Sequence, residues 1–522
     1  MLKKLHGRKL AVCLIGGAMY AFFSAFGWQA EHGGVIWAGG ALLVAALLVW
    51  PIAALLAVLL ERGYTRALRQ KKTFRAGRAF AFILACYVPM FCVAFPGSFA
   101  YDVPYQLRQV VTGAYSTHHP LLHTLALGGL LQLGRALGDI NLGAALYTAL
   151  QMALLAGCFA LTCGSIARQS GARAAKRATV FFALYPLNMV MAVNATKDVL
   201  FGGFFALTLA LLNEIREKPS RGLALKIAAC GALAVMLRNN MAYAALVWLA
   251  LLTLGLRKAE KSAALAMLLA LAVGLCGNAA LKRATRAESG DMSEMLSWPI
   301  QQLARARLYD EERLTDAEKE AIDELMPGEA WACYDPTISD PVKFEFDTQA
   351  FRADVKKYVG VWLSVGKKCA GTYLDATMAL TYPFFYPYRE YRVSGYYVQM
   401  GMSDAYDAGW CDFDPPESRS LFPRALASLS WRFGAKGAMQ IPVVGWLFNM
   451  GVIVWTMLFF ALREMYWGRW RRFGTALLPV LLWGTFLLGP VMAGRYIYPF
   501  VCALPVLAAR PGRIVKEAER HG

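Results

Sequence analysis

The segment "PLLHTLALGGLLQLG", residues 120–134, decides how the whole chain threads. It is apolar and reads at first as one more membrane-crossing helix. Similar apolar runs recur from Leu10 to Arg510 in a chain of 522 residues that is 57% hydrophobic. A bilayer core about 30 Å thick needs roughly 20 apolar helical residues. The runs are continuous, not alternating, so helices and not barrel strands are expected. Spans are predicted near residues 10–28, 35–60, 79–95, 141–167, 178–193, 198–215, 223–237, 240–256, 263–281, 439–462, 474–490 and 496–510. The first follows Lys3, Lys4, Arg8 and Lys9 without a convincing small-residue cleavage site, so it is expected to stay as an anchor.

Basic residues fix the parity. They cluster at Arg62–Arg78, Arg168–Arg177, Arg216–Lys226, Arg257–Lys261, Arg463–Arg472 and Arg510–Arg520, between alternate apolar runs. These loops and the N-terminus hold about 30 Lys and Arg, against about 5 in the short loops of the other side, which marks them as cytoplasmic. Counting 120–134 as a span would invert every later loop. Its 15 residues are also short for a crossing. It is therefore expected to lie along the outer membrane surface or to dip in partway. The alternative is a true span, with another segment failing to cross.

The expected architecture is an all-α polytopic membrane protein with about 12 transmembrane helices and both termini cytoplasmic. Residues 1–78 form a two-helix hairpin with a basic loop. Residues 79–281 form a membrane core whose first outer loop is 96–140. Residues 282–438 form an extracytoplasmic segment, mostly helical or irregular, and 439–522 the last membrane helices and a cytoplasmic tail. The net charge of +19 follows this topology and does not mark a nucleic-acid surface. In 282–438 acids outnumber bases. There, Thr315 to Glu318 has the capping-box pattern. Asp347 or Thr348 is expected to cap one run through Phe351, Val355, Tyr358 and Trp362. The aromatic stretch 380–397 reads as buried core or interfacial belt rather than a sugar-stacking surface. A disulfide between two of Cys333, Cys369 and Cys411 is possible.

On this topology, separate parts of the chain deliver polar groups to one face. The loop after the third span carries Asp102, within a stretch that also holds His118, His119 and His123. "NATKD" (194–198) supplies Lys197 and Asp198, "LRNN" (237–240) supplies Arg238 and Asn239, and "GRYIYP" (494–499) supplies Arg495 and Tyr496. Each has a plainer reading. Asp102 can cap the helix starting near Pro104, and Lys197 and Asp198 can be a helix-end pair. Arg238 and Arg495 can snorkel to lipid phosphates, and His118 and His119 can be loop residues ahead of Pro120. His119 and His123 share a helical spacing but lack a third metal ligand. These readings do not explain why the odd cations favour the acid-bearing turns.

The order "FPGSFAYD" (95–102), "YSTHHPLLHTLALGGL" (115–130), "NATKD", "LRNN" and "GRYIYP" resembles the polytopic GT-C glycosyltransferases. "SWPIQQLARA" (297–306) and "YDPTISDPVK" (334–343) look like an uncharacterised bacterial branch of that superfamily. The resemblance implies a GT-C-like fold and transfer of a sugar from a polyprenyl-phosphate donor to an extracytoplasmic acceptor, with inversion. The lipid bilayer is the third partner, and no nucleic acid is expected. Asp102 is the candidate base, with Asp198 second. Lys197, Arg238 and Arg495 are candidates to hold the phosphate, and His118, His119, Asn239 and Tyr496 to contact substrate. The sequence requires no cofactor, and a divalent cation stays open. The rival readings are a lipid-linked glycan polymerase or ligase, a transporter or flippase, and a membrane scaffold.

Overall fold

A computed structural model describes residues 5–32, 38–62, 73–253, 258–290, 292–387, 398–403, 415–434, 437 and 441–510. Among the described residues every regular element is a helix, and strand-like contacts are limited to isolated bridges. The first twelve α-helices are α1 (Arg8–His32), α2 (Ala38–Arg62), α3 (Ala76–Ala94), α4 (Val103–Thr112), α5 (Leu121–Ala136), α6 (Ile140–Ser170), α7 (Ala172–Leu184), α8 (Pro186–Ala192), α9 (Lys197–Glu217), α10 (Arg221–Leu237), α11 (Asn239–Thr253) and α12 (Lys258–Thr285). Six described helices are long and apolar enough to cross a membrane: Arg8–His32, Gly40–Glu61, Ala76–Ala94, Ile140–Ser170, Lys197–Glu217 and Glu260–Thr285. Their outer faces are bare of polar cover. Leu142, Leu146, Leu150 and Leu154 step every fourth residue along α6 and are all exposed. Such a stripe is unfavourable in water and at home against lipid tails. The expected span 178–193 is instead two short helices. Pro186 holds Tyr185 extended, at φ −66° and ψ 120°, and this ends α7.

The centre of the bundle is α9, where Phe201, Phe205, Leu209 and Leu212 are fully buried. Its Gly202 lets the last helix approach, since a Cβ there would lie 3.0 Å from Cys502 Sγ and the Tyr498 ring. Small residues serve helix contacts in this way where lipid supplies no hydrophobic drive. Asp198 and Arg216 mark the two ends of α9, about 27 Å apart by helical rise. At the Arg216 end the basic loops meet. Arg216 Nε donates to Glu260 at 2.8 Å, Arg168 Nη2 to Glu214 at 2.8 Å and Arg472 Nη2 to Gln169 at 3.2 Å.

The apolar segment at 120–134 becomes α5, packed on the first two turns of α6. The two backbones touch, because a Cβ on Gly143 would sit 2.2 Å from the Leu130 carbonyl oxygen. His123 Nε2 lies 2.9 Å from the Tyr147 hydroxyl, and Nδ1 lies 3.0 Å from the Gln106 amide. With 31 residues α6 is about 46 Å long, well beyond a bilayer core of about 30 Å. The turns that α5 covers are of the order of this surplus.

The polar segment folds into a helical unit with its own core, including Ile300, Leu303, Ile322, Leu325, Val342 and Val365. Its helices are α13 (Ser297–Tyr309), α14 (Asp316–Leu325), α15 (Asp340–Lys343), α16 (Thr348–Ala353), α17 (Val355–Lys368) and α18 (Ala370–Thr381), whereas α19 (Pro423–Gly434) packs against α3 and the main core. The single run expected after Asp347 is broken. Asp347 caps α16, then Asp354 accepts from Lys357 N–H and caps α17, because its short carboxylate competes for helix N–H groups. Cys333 and Cys369 are free thiols, and Cys411 lies outside the described residues. Tyr382, Phe384 and Phe385 are buried, so the described part of the aromatic stretch is core; residues 388–397 lie outside the described set.

The capping box at Thr315 forms in full. Glu318 also accepts from Lys368 Nζ at 2.7 and 2.9 Å and from Ser364 at 2.7 Å. Burial pushes its carboxyl up, but these donors outweigh burial and hold it at about 2. The folded value lies below the ordinary 4.5. Ionised Glu318 therefore stabilises the unit above pH 4.5, and this contribution fades as pH falls toward 2. Acid titration followed by tryptophan fluorescence is expected to show that loss, and Glu318→Gln to flatten the curve in the same window.

The last described α-helices are α20 (Met450–Tyr466), α21 (Trp470–Leu487) and α22 (Tyr498–Ala508). The polar segment is fastened to the loop between α21 and α22. Trp298 Nε1 donates to the Leu487 carbonyl at 2.6 Å, and Ser339 N–H to that of Pro490 at 2.9 Å. Its start pairs with the loop before α5, where Thr117 N–H donates to the Glu288 carbonyl at 2.8 Å. The segment thus sits at the Asp198 end of the bundle.

Candidate functional site

Three chain segments meet beside Asp198. Ser98 N–H donates to the Val193 carbonyl, and Ala195 N–H to that of Ser98, both at 2.8 Å. On the other edge Phe99 N–H donates to the Gly401 carbonyl at 2.9 Å. The loop 95–102 is thereby held between the turn 193–196 and residues 398–403. Gly97 is required there, because at φ +142° a Cβ would lie 2.2 Å from Thr148 Oγ1. Tyr101 follows in the left-handed region at φ +55°. Its N–H donates to Gln399 Oε1 at 3.3 Å, and its hydroxyl accepts from Gln399 N–H at 2.6 Å. These bonds hold a strained backbone that aims the next residue, Asp102, inward.

Asp102 makes no side-chain cap to α4, which corrects the plainer reading of that residue. Its oxygens face three other segments. Lys197 Nζ donates to Oδ2 at 2.9 Å, and Arg495 grips both oxygens from Nη1 and Nη2, each at 3.1 Å. Paired guanidinium–carboxylate bonds are the strong, directional kind. His119 Nδ1 lies 3.7 Å from Oδ2. The same Arg495 reaches Asp198 Oδ2 with Nε at 3.7 Å. Asp198 is fully buried; it accepts from Arg238 Nε through Oδ1 and from Thr196 Oγ1 at 3.2 Å through Oδ2. The Tyr496 ring faces both guanidiniums, 4.5 Å from Arg238 and 5.3 Å from Arg495, close enough for cation–π attraction.

The electrostatics favour an anion. Two carboxylates face three permanent cations, which leaves one positive charge in excess. Asp102, Lys197, Asn239 and Tyr498 stand at or beside the N-termini of α4, α9, α11 and α22. Each of these ends adds partial positive charge. Donors also remain unsatisfied: Arg238 Nη2 and Arg495 Nε are buried without a hydrogen-bond partner. Burial pushes the Asp102 carboxyl up, yet Arg495, Lys197 and His119 more than offset it and hold it well below the usual carboxylate range. Burial drives the His119 imidazole down to about 3, so it is neutral near pH 7.

These contacts gather Asp102, Asp198, Lys197, Arg238, Arg495, Tyr496 and His119 into one centre. Three other residues stand apart. Asn239 is exposed, and its neighbour Asn240 bonds Thr485 instead. His118 is the more exposed of its pair and faces Glu294, 4.0 Å away. His123 is satisfied within the Gln106–Tyr147 network, as a core histidine. Tyr101 and Thr196 also belong to the site; they lie inside the stretches 95–102 and 194–198 but have no role marked by the sequence, and Gln399 lies in no motif. The residues do not fit a resident divalent cation. Both carboxylates are already engaged by cations that would repel it, and among the described residues no three of His, Cys, Asp and Glu converge as a ligand set.

A family model for a family of unknown function (DUF6020) matches residues 111–521. The chain belongs to the DUF6020 family. The matched residues include Lys197, Asp198, Arg238 and Arg495, whereas Asp102 lies just before them. No curated protein and no solved structure matches this DUF6020 chain.

Proposed function

We propose that this DUF6020 chain is a membrane glycosyltransferase of the GT-C kind, moving a sugar from a polyprenyl phosphate to an extracytoplasmic acceptor. The observation that carries the reading is Arg495. It clamps one carboxylate with two bonds and reaches a second, beside a buried Arg238 with an unused donor. Such a centre suits a phosphate that departs with growing negative charge. The remaining short helices complete about twelve crossings, with both termini cytoplasmic and the site at the outer face. Two features support this orientation. The basic loops gather at the opposite end of α9, a bilayer's thickness away, as the positive-inside rule requires. In addition, α5 covers the surplus length of α6 and so fits an interfacial helix.

In this mechanism the donor phosphate competes with Asp102 for Arg495 and Lys197. Asp102 loses the neighbours that suppress its basicity and accepts the proton of the acceptor hydroxyl. The hydroxyl oxygen forms a bond to the anomeric carbon from the face opposite the phosphate. The carbon–phosphate oxygen bond breaks, and its electron pair leaves with the polyprenyl phosphate. A single displacement inverts the anomeric centre. Asp198 keeps Arg238 and Arg495 oriented.

The test uses the full chain in vesicles supplied with labelled polyprenyl-phosphate hexoses and bacterial envelope glycans and lipids as acceptors. The expected result is label in an acceptor together with an equal amount of free polyprenyl phosphate. Movement of intact donor across the bilayer, with no bond cleaved, would instead identify a lipid carrier.

A further inference from the structure

Beside the charged centre lies a second space. Helix α4 and the loop before α5 border an open cavity of about 400 Å³, whose walls include Tyr105, Arg108, Ala114, Ser116, His118 and His119. This volume is within the range of small-molecule sites, roughly 300–1,000 Å³. Tyr105, Arg108 and Thr112 share one face of α4 by their i, i+3 and i+7 spacing. The facing loop is held in place by Gln109, whose Oε1 accepts from Ser116 N–H at 3.0 Å. Among the described residues, the side chains of the wall include no carboxylate. The innermost wall is His119, 5% exposed, whose Nδ1 has no hydrogen-bond partner and lies 3.7 Å from Asp102. One imidazole therefore separates the cavity from the proposed base.

We propose that this cavity is the acceptor site and takes a neutral or anionic sugar ring. The inference rests on the transferase reading and adds the acceptor's class and place. Flat faces at Tyr105 and His118 suit the C–H faces of a sugar ring. Arg108 supplies donors to ring hydroxyls or a carboxylate, and Ser116 a hydroxyl. A cationic acceptor is disfavoured, since the guanidinium of Arg108 in the wall would repel it. His119 is a positioning residue: neutral, it turns an incoming hydroxyl toward Asp102. Lys197 and Arg495 lie behind it and stay with the donor phosphate.

The experiment uses the full chain in lipid nanodiscs and a set of methyl glycosides, including methyl glucoside, methyl N-acetylglucosaminide and methyl glucuronide. Saturation-transfer NMR reads their binding, and calorimetry reads inorganic pyrophosphate separately. Ala114→Trp fills the cavity from an exposed lip position without removing a side-chain hydrogen bond. The wild-type chain is expected to bind at least one glycoside, and Ala114→Trp to weaken it at least about tenfold with pyrophosphate binding unchanged. Equal glycoside binding by Ala114→Trp overturns the proposal. So does an absence of any glycoside signal, or a signal from the phosphoglycerol headgroups of the nanodisc in place of the glycosides. Loss of pyrophosphate binding to the wild-type chain would instead strike the transferase reading itself.

Discussion

Asp102→Asn is expected to lower the proposed glycosyl transfer by about 10²–10⁴-fold and to strengthen the binding of polyprenyl phosphate. The first effect follows from the loss of the acid that, among the described residues, lies beside both the His119 wall of the cavity and the cationic centre. The second follows from the contacts of Asp102. In the resting chain its carboxylate occupies two donors of Arg495 and the ammonium of Lys197, so it competes with the incoming phosphate. The isosteric amide keeps the shape and removes the competitor. Arg495 retains Asp198 3.7 Å from Nε, so the variant is expected to fold. Turnover by radiolabel transfer and affinity by calorimetry check the two halves. A transfer rate equal to the wild type removes Asp102 as the base. Weaker binding of polyprenyl phosphate removes the competition.

Arg495→Lys produces the second large effect, and here affinity and stability fall together. A lysine keeps the charge but presents a compact ammonium instead of a planar fork. It cannot hold both Asp102 oxygens and reach Asp198 as well. Breaking a buried pair costs about 3–5 kcal/mol when the partner stays charged. Lys197 and Arg238 remain as partial partners, so the lower end of that range is expected. Polyprenyl-phosphate affinity should fall by at least about a hundredfold, as for loss of a buried charged contact of about 3 kcal/mol. Thermal unfolding in nanodiscs and phosphate titration measure the two quantities. A fully tolerated Arg495→Lys would mean that the fork geometry is irrelevant, against the bidentate contact.

Much of this layout was legible in the sequence, for definite reasons. The basic loops revealed the two ends of the bundle because charge asymmetry leaves a mark in composition, and in the fold Arg168, Arg216 and Arg472 do collect at one end. The cations Lys197, Arg238 and Arg495 stood out because they broke that pattern. Their convergence with Asp102 and Asp198 required tertiary contacts that no spacing encodes. Gln399 shows why the rest was hidden. It clamps Tyr101 across about 300 residues of chain by two hydrogen bonds, and an isolated glutamine in a polar stretch carries no period or motif. His123 shows the opposite limit, since it shares the 95–123 stretch with His118 and His119 but takes no part in the centre. In the fold, α5 turns it into the Gln106–Tyr147 network. The break at Asp354 was concealed by an apolar spacing that ran on across it.

A single phosphate-binding centre built by Arg238, Arg495 and Lys197 underlies the proposed transfer. Titrating polyprenyl phosphate into the full chain in nanodiscs and following its ³¹P resonance tests this most directly. The predicted result is a saturable shift with the wild-type chain, abolished in the Arg238→Gln, Arg495→Gln double variant. A resonance that is the same with the wild-type chain as with empty nanodiscs contradicts it.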